Sequence, residues 1–168
     1  LEIVQGSADA PGSWPEHNLS QTMLRVKDAK ASVAYYREVF GMKLLRASHY
    51  GDFSLYFLAC CDDPDAPEPE SQEAREYVKK LWQPVLELTH NHGTENDENF
   101  SYHNGNAEDK DKNMLQGFGH IGFVVDNLNE FCTEMEGQGR PFKKKPTDGN
   151  MKSLAFALDP DGYWVEIV

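Results

Sequence analysis

Hydrophobic positions along the chain change their spacing in a regular order, and this order occurs twice. Stretches in which apolar and polar residues alternate predict β-strands, whereas apolar residues three or four positions apart predict helices. In the first half the pattern predicts a strand at 21–26, a helix that ends at Gly41, two strands around the turn at 51–52 and a strand at 84–91. The second half repeats the order of strand, helix and three strands. The chain is therefore predicted to consist of two βαβββ modules.

The two halves also share one spacing. The sequence SLYF at 54–57 returns as SLAF at 153–156, and the two copies begin 99 residues apart. Gln21 and His120, which open the first strand of each half, are separated by the same 99 residues. This agreement indicates an internal duplication. The first half is the longer one, because a Pro-rich acidic segment and a predicted helix at about 60–82 interrupt it as an insertion.

These patterns predict an α+β fold with four segments. They are an N-terminal arm at 1–20, a first βαβββ module at 21–91 with its insertion, a linker at 92–117 and a second βαβββ module at 118–168. The arm is rich in Gly, Pro and Ser and has little periodicity, and the linker is polar with Gly and Asn in positions typical of turns.

The composition of the chain limits the classes of binding partner and the cellular locations that we expect. The formal net charge of −12 disfavours binding to nucleic acid or to anionic membrane surfaces. No run of about 18 apolar residues predicts a membrane span, and no charged-then-apolar leader precedes the domain. Three cysteines without a CxxC spacing suit a reducing compartment. We therefore expect a soluble cytoplasmic protein, or an organelle protein if a leader has been removed.

Four polar residues occupy equivalent places in the two predicted modules. Gln21 and His120 open the first strands, and Glu87 and Glu166 lie between apolar neighbours in the last strands. Either glutamate taken alone could point to solvent from a strand that is buried on one face. Together the four side chains offer three oxygens and one nitrogen, a set that suits a borderline divalent ion with water in open positions. The pattern favours a catalytic metal site over a closed structural zinc site.

Eight short motifs occur in the order known from one enzyme family. They are QTMLRVKD, GMKLL, FSLYFLA, LELTHN, SYHNGN, GFGHIGF, KKPTDG and DPDGYWVEI. By these motifs residues 20–168 resemble the glyoxalase I family of the vicinal oxygen chelate superfamily. The resemblance implies the glyoxalase/bleomycin-resistance-like fold, in which each βαβββ module forms a curved mixed sheet.

The same resemblance implies a ligand set and an assembly. The implied metal ligands are Gln21, Glu87, His120 and Glu166. In the family the enzyme is a homodimer, so the first two would come from one subunit and the last two from its partner. The spacing of the residues does not distinguish this arrangement from a site within one chain.

The resemblance further implies the activity of a lactoylglutathione lyase, a carbon-sulfur lyase of methylglyoxal detoxification. Its substrate would be the hemithioacetal of methylglyoxal and glutathione, which is isomerised to S-lactoylglutathione by proton transfer through an enediolate. Glu166 is the expected principal base and Glu87 the partner for the other proton. Zn²⁺ is the first expectation for the metal and Ni²⁺ the second, because the insertion and the arm resemble the longer, zinc-using class.

Three further residues match family positions that bind glutathione. They are Arg25, Asn91 and Lys144, and cationic or amide groups suit the carboxylates and peptide groups of this tripeptide. Each also has an ordinary interpretation, as a solvated charge for Arg25 and Lys144 and as a strand-end cap for Asn91. Gln116 stands where the family has Arg, which predicts weaker glutathione binding, substitution by a nearby lysine such as Lys110 or Lys112, or a different thiol cofactor.

Other functions stay open at this point. A non-catalytic small-ligand-binding protein of the same fold usually lacks the four ligands. A dioxygenase of the same superfamily needs two histidines and one carboxylate, which the Gln at position 21 and the Glu at position 87 disfavour. The HNH sequence at 90–92 invites comparison with a cupin-like metal site, but the many short strands of a cupin are not predicted.

Overall fold

The computed structural model of the chain describes residues 18–106 and 117–168. The first half contains β1 (Gln21–Val26), α1 (Ala29–Phe40), β2 (Lys43–His49), β3 (Phe53–Ala59), α2 (Gln72–Lys80) and β4 (Val85–Asn91). A short 3₁₀ helix follows at Thr94–Asn96. The second half contains β5 (His120–Phe123), α3 (Leu128–Gly137), β6 (Phe142–Lys144), β7 (Ala155–Leu158) and β8 (Trp164–Ile167). None of the helices in these two described ranges is long and apolar enough to cross a membrane.

The strands form two four-stranded mixed sheets with the same topology. Their strand orders are β1-β4-β3-β2 and β5-β8-β7-β6. In each sheet the first and last strands of the module, β1 and β4 or β5 and β8, run parallel, and the other neighbours are antiparallel. The α+β fold of two βαβββ modules is therefore confirmed. The segment boundaries stay predictions, because the arm at 1–20 and the linker at 92–117 lie partly outside the described residues.

The two halves of the chain share one hydrophobic core. Helix α1 begins at the cap residue Asp28, whose side chain accepts hydrogen bonds from two backbone N–H groups, and it ends at Gly41 with φ of 63°. The last residue of α1, Phe40, stacks on Phe123 of β5 with ring centroids 3.9 Å apart and also meets Phe131 of α3. Alternate residues of both sheets join this core. Because side chains alternate across a strand, the neighbouring positions of the same strands face away from the core.

The insertion packs on that outward face of the first sheet. A second cluster forms where Tyr77 and Val78 of α2 meet Phe57 and Val85 of the sheet. The irregular segment before α2 also contacts the sheet, since the Pro69 carbonyl accepts a hydrogen bond from the backbone N–H of Ala47. The insertion therefore covers one end of the outward face and leaves the rest of that face for other contacts.

A turn of the second half ties the halves together. Asp161, between β7 and β8, accepts hydrogen bonds from the Lys27 backbone N–H at 2.8 Å and from the Ser32 hydroxyl at 3.3 Å. The Tyr163 hydroxyl donates to the Arg25 carbonyl at 3.2 Å. These bonds connect the approach to β8 with the end of β1 and the start of α1, so the strands that carry Gln21 and Glu166 are held in one framework.

Asp159 is a buried carboxylate in the same turn. It is 4% exposed and accepts hydrogen bonds from the Tyr36 hydroxyl at 2.8 Å and from the backbone N–H groups of Asp161 and Tyr163. Burial raises the pKa of Asp159 to about 6, although the bonds from Tyr36 and Tyr163 act in the opposite direction. The charged form is therefore tolerated in the fold at a cost in stability.

Replacing Asp159 with Asn is expected to remove a pH dependence of stability. An Asp in the unfolded chain titrates near 3.9, so the folded chain binds more protons between about pH 4 and about pH 6. The free energy of unfolding of the original chain should fall as the pH rises through this window and stay level above it. The two pKa values correspond to a change of about 3 kcal/mol. Urea unfolding of both proteins from pH 4 to pH 8, at one protein concentration, measures the difference.

The control for this experiment is Asp126→Asn, which removes a carboxylate at an exposed position before α3. Its unfolding curve should follow that of the original chain at every pH. Parallel pH profiles for the original chain and Asp159→Asn would show that the buried carboxylate does not carry the expected titration.

Candidate metal centre and active site

The first pair of predicted ligands meets on the first sheet. Gln21 opens β1 and Glu87 is central in the parallel neighbour β4, where it lies opposite Met23. The Gln21 side-chain amide donates a hydrogen bond through Nε2 to Oε2 of Glu87. Glu87 is 9% exposed, and both side chains lie on the outward face, away from the shared core. The pair therefore presents an amide and a carboxylate that are already held together.

The surroundings of Glu87 explain how a carboxylate is kept at this place. Burial raises the pKa of Glu87, and the nearby Arg46 guanidinium together with hydrogen bonds from Thr89 and Gln21 acts in the opposite direction. Arg46 lies over the ring of Phe57 at 5.0 Å from its centroid, and Phe57 is the direct partner of Glu87 in β3. A cation and two donors thus offset part of the cost of burying the charge.

The second pair meets on the second sheet. His120 opens β5, and Glu166 lies in the parallel strand β8 opposite Gly122. The His120 Nε2 and Glu166 Oε2 atoms are 3.3 Å apart, with the two side chains 42% and 26% exposed. Gly122 lies directly beside the Glu166 side chain, which a Cβ atom at position 122 would meet at an ordinary van der Waals distance of 3.6 Å. This imidazole and carboxylate correspond in register to the amide and carboxylate of the first sheet.

Each pair supplies two donors, which is fewer than the three or four protein ligands of a typical catalytic metal site. Across residues 18–106 and 117–168, no group of three or more His, Cys, Asp and Glu side chains is placed to hold a metal ion. The carboxylates and imidazole of the two pairs therefore do not form one cluster within a chain. The amide, the imidazole and the two carboxylates are together chemically suited to a divalent ion. A four-donor site made of these groups would require the two pairs to be brought together.

The predicted glutathione residues are divided between the sheets. Arg25 is exposed on β1, two positions beyond Met23 on the outward face. Asn91 ends β4 and donates to the Tyr102 hydroxyl at 2.9 Å. Lys144 ends β6 on the other sheet, and its ammonium donates to the backbone carbonyls of Lys145, Met151 and Leu154 at 3.1, 2.5 and 3.1 Å. To bind a glutathione carboxylate, Lys144 would have to give up its hydrogen bond to one of these carbonyls. The glutathione-binding roles of Arg25, Asn91 and Lys144 stay predictions.

The histidines of the HNH sequence have separate partners. His90 lies 2.9 Å from Glu95, and His92 lies 2.8 Å from the hydroxyl of Ser54. Their ring centroids are 5.7 Å apart. Among the described residues, no cluster of three or more His, Cys, Asp and Glu side chains that could hold a metal ion includes them. The positions of Gln116, Lys110 and Lys112 fall outside the described residues.

Known proteins share this arrangement of modules. A family model described as the Glyoxalase/Bleomycin resistance protein/Dioxygenase superfamily matches residues 18–167. The chain belongs to this superfamily. The lactoylglutathione lyase of Schizosaccharomyces pombe is 46% identical over 171 residues, an alignment that covers 100% of this chain and 50% of that protein. The lactoylglutathione lyase of Pseudomonas putida is 43% identical over 164 residues, with coverage of 96% and 90%.

A solved structure supports the same relationship. The trypanothione-dependent glyoxalase I of Leishmania major matches with a TM-score of 0.62 at 27% identity, covering 90% of this chain and 86% of that chain. The chain spans about half the length of the S. pombe relative and most of the P. putida relative. The resemblance to the glyoxalase I family within this superfamily is confirmed.

Two features of this superfamily member were not found from the sequence. Arg46 reaches the outward face beside Phe57 because β2 carries a bulge between Leu44 and Arg46, and a bulge changes which residues face inward. The turn at 104–106 contacts Gly119, directly before β5, although ten residues outside the described ranges separate the two segments. The SYHNGN motif marked this turn, but its contacts could not be read from the motif.

Proposed function

We propose that the chain is a lactoylglutathione lyase. It converts the hemithioacetal of methylglyoxal and glutathione to S-lactoylglutathione and so serves methylglyoxal detoxification. The observation that carries the proposal is the pair of matched half-sites, Gln21 with Glu87 and His120 with Glu166, at equivalent register positions of two sheets. Relatives at 43% and 46% identity that bear this name support it.

The active site is completed by a second copy of the chain. The two half-sites project from sheets that share a core, and neither half-site has enough donors alone. In a two-fold symmetric dimer, Gln21 and Glu87 of one subunit meet His120 and Glu166 of the other, and symmetry creates two such sites. The length of the S. pombe relative, of which this chain covers 50%, is consistent with two copies joined in one polypeptide.

The four ligands would be the Gln21 amide oxygen, the two carboxylates and the His120 imidazole. The amide oxygen is suited to this role because the Nε2 of Gln21 is the atom that donates to Glu87. When bound, a divalent metal supplies Lewis-acid stabilisation of the negative charge that develops on two adjacent substrate oxygens. Zn²⁺ is proposed as the resident ion and Ni²⁺ as the alternative.

The carboxylates move the protons of the isomerisation. Glu166 is 26% exposed beside His120, so it is accessible to a substrate, and it removes the proton from C1 of the hemithioacetal. Glu87, more buried and held by Gln21, takes up the proton that the C1 hydroxyl loses and delivers it to C2, while Glu166 passes its proton to the C2 oxygen, so that both carboxylates end as they began. C1 is oxidised to the thioester level and C2 is reduced to an alcohol, so the reaction needs no external oxidant or reductant and the sulfur stays attached to C1.

Glutathione is held by groups at the rim of the site. Arg25, on the same strand and face as Gln21, is proposed to bind a carboxylate, and Asn91 a peptide or carboxylate group. Lys144 is proposed to bind a second carboxylate in exchange for one of its loop carbonyls. The positive charges of Arg25 and Lys144 attract an anionic tripeptide to a chain whose net charge is −12.

A metal-dependent assay tests the proposal. The purified chain is expected to contain about one divalent ion per subunit and to form thioester, followed by ultraviolet absorbance, from methylglyoxal and glutathione. Chelation should abolish the reaction, because removal of the ion removes the Lewis acid that stabilises the negative charge on the two adjacent substrate oxygens. Adding Zn²⁺ or Ni²⁺ back to separate samples should restore it and rank the two ions.

The absence of thioester formation with any divalent ion would contradict the proposed activity. Thioester formation with another thiol but not with glutathione would keep the reaction type and reject glutathione as the co-substrate. Metal binding without turnover of any thiol adduct would favour the non-catalytic binding protein instead.

A further inference from the structure

We propose that the turn Asn104–Gly105–Asn106 positions the His120–Glu166 half-site. The inference rests on the proposed function, because it gives this turn a role in holding two of the proposed ligands. The turn belongs to neither sheet and contacts no ligand side chain in the hydrogen bonds of the described residues. It acts on the backbone where the two ligand-bearing strands begin.

Asn106 holds the entry to β5. Its side-chain amide donates to the carbonyl of Phe118 at 3.3 Å and to the carbonyl of Gly119. These two peptide groups directly precede His120, the first residue of β5. The bonds therefore fix the direction in which the chain enters the strand and, with it, the Cα–Cβ direction of His120.

Asn104 connects the same turn to the entry of β8. Its Oδ1 accepts a hydrogen bond from the Asn106 backbone N–H at 3.0 Å, and its Nδ2 donates to the Gly162 carbonyl at 2.9 Å. Gly162 lies two residues before Trp164, which is the register partner of His120. Asn104 and Asn106 together thus link the starts of the two parallel strands whose side chains form the half-site.

Gly105 allows the two segments to touch through their backbones. It has φ of 81°, and a Cβ atom built at this position would lie 2.0 to 2.8 Å from the O, N and C atoms of Phe118. The Gly105 carbonyl also accepts a hydrogen bond from the Gly117 N–H at 3.2 Å. Another residue at position 105 would push the 117–119 segment away.

The half-site depends on such backbone support because its own side chains are not packed inside the protein. The His120 side chain is 42% exposed, and its ring contact is with Phe156 at 5.3 Å between centroids. Groups that orient metal ligands typically change metal affinity or activity by about 10- to 100-fold when they are removed. A change at Asn106 should therefore be seen first in metal binding and turnover, and less in overall stability.

Two substitutions of Asn106 separate the loss of its side-chain N–H donors from the effects of added charge and of lost side-chain volume. Asn106→Asp keeps the shape and replaces the amide with a carboxylate, and Asn106→Ala removes the group without adding charge. Both lose the two hydrogen bonds to the Phe118 and Gly119 carbonyls. Asn129→Asp, at an exposed position in the first turn of α3, is the charge-matched control. The original chain and the three variants are compared without metal, with Co²⁺ and with Zn²⁺.

Three measurements are made on each protein. Titration of the metal-free protein with Co²⁺ should give affinities at least about 10-fold weaker for both Asn106 variants. The visible absorption spectrum of the Co²⁺ forms should change shape, because it reports the arrangement of the ligands. In the Zn²⁺ forms kcat should fall more than KM rises, while the thermal midpoint of the metal-free proteins and all properties of Asn129→Asp stay close to those of the original chain.

Cobalt affinity and spectra unchanged in both Asn106 variants would overturn the positioning role and leave the lyase proposal intact. A loss of affinity that parallels an equal loss of metal-free stability would overturn it as well, by giving the turn a purely structural role. If the original chain itself neither bound a divalent ion nor turned over the hemithioacetal, the proposed function would fail, and this inference with it.

Discussion

Replacing Glu166 with Gln is expected to lower turnover of the hemithioacetal by about 10²- to 10⁴-fold, the usual contribution of a general base. The amide cannot accept the C1 proton, but it has the same shape and keeps an oxygen for a metal and an acceptor for His120. Metal content should therefore fall much less than turnover. Initial rates of thioester formation and metal analysis of the same samples measure both quantities.

The matched control is Glu76→Gln, which changes an exposed glutamate that pairs with Lys79 on α2. Its rate and metal content should equal those of the original chain. Full turnover by Glu166→Gln at normal metal content would remove Glu166 from the mechanism as principal base.

Two inactive variants are expected to restore activity to each other when their chains are combined. In a dimer of Glu87→Gln with Glu166→Gln, one site combines both altered pairs and the other combines the two unaltered pairs. Random assembly makes half of the dimers mixed, so about a quarter of all sites should be intact. Unfolding an equal mixture, refolding it and measuring thioester formation tests this expectation, with each variant refolded alone as a baseline.

The control mixture combines Glu166→Gln with His120→Ala. Both changes lie in the second half-site, so every site of every dimer contains an altered second pair and no activity should return. If the first mixture also stayed at its baseline although mixed dimers had formed, the site would lie within one chain. That result would contradict the proposed assembly without affecting the fold.

The sequence predicts the modules well because they follow from local periodicity and from the repeat, whereas the ligand roles of the four polar residues stay predictions. The 99-residue offset relates Gln21 to His120, and the structure places them at the starts of β1 and β5, each beside the glutamate of a parallel strand. Strand alternation also separates the core residues Leu24 and Val26 from the outward-facing positions between them. These features require no knowledge of distant contacts.

Contacts between segments that are far apart in the chain could not be predicted in the same way. The Lys144 motif matches the family, but the motif does not show that the ammonium already has three carbonyl partners. The bulge before Arg46 moves that side chain relative to its neighbours, and no local pattern marks it. The proposed assembly of the site is the extreme case, because the hydrophobic periodicity of one chain contains no information about contacts with a second copy.

The stacking of Phe40 on Phe123 has a consequence for how such a protein can change over generations. Under the proposed assembly this core joins two halves that serve different sites, so a substitution that tilts one half against the other alters both sites at once. Joining two copies end to end leaves this coupling within each copy, but it allows the ligands of the two copies to diverge independently. A tandem chain could lose the ligands of one site and keep the other, whereas in a dimer of identical chains every ligand substitution would appear in both sites.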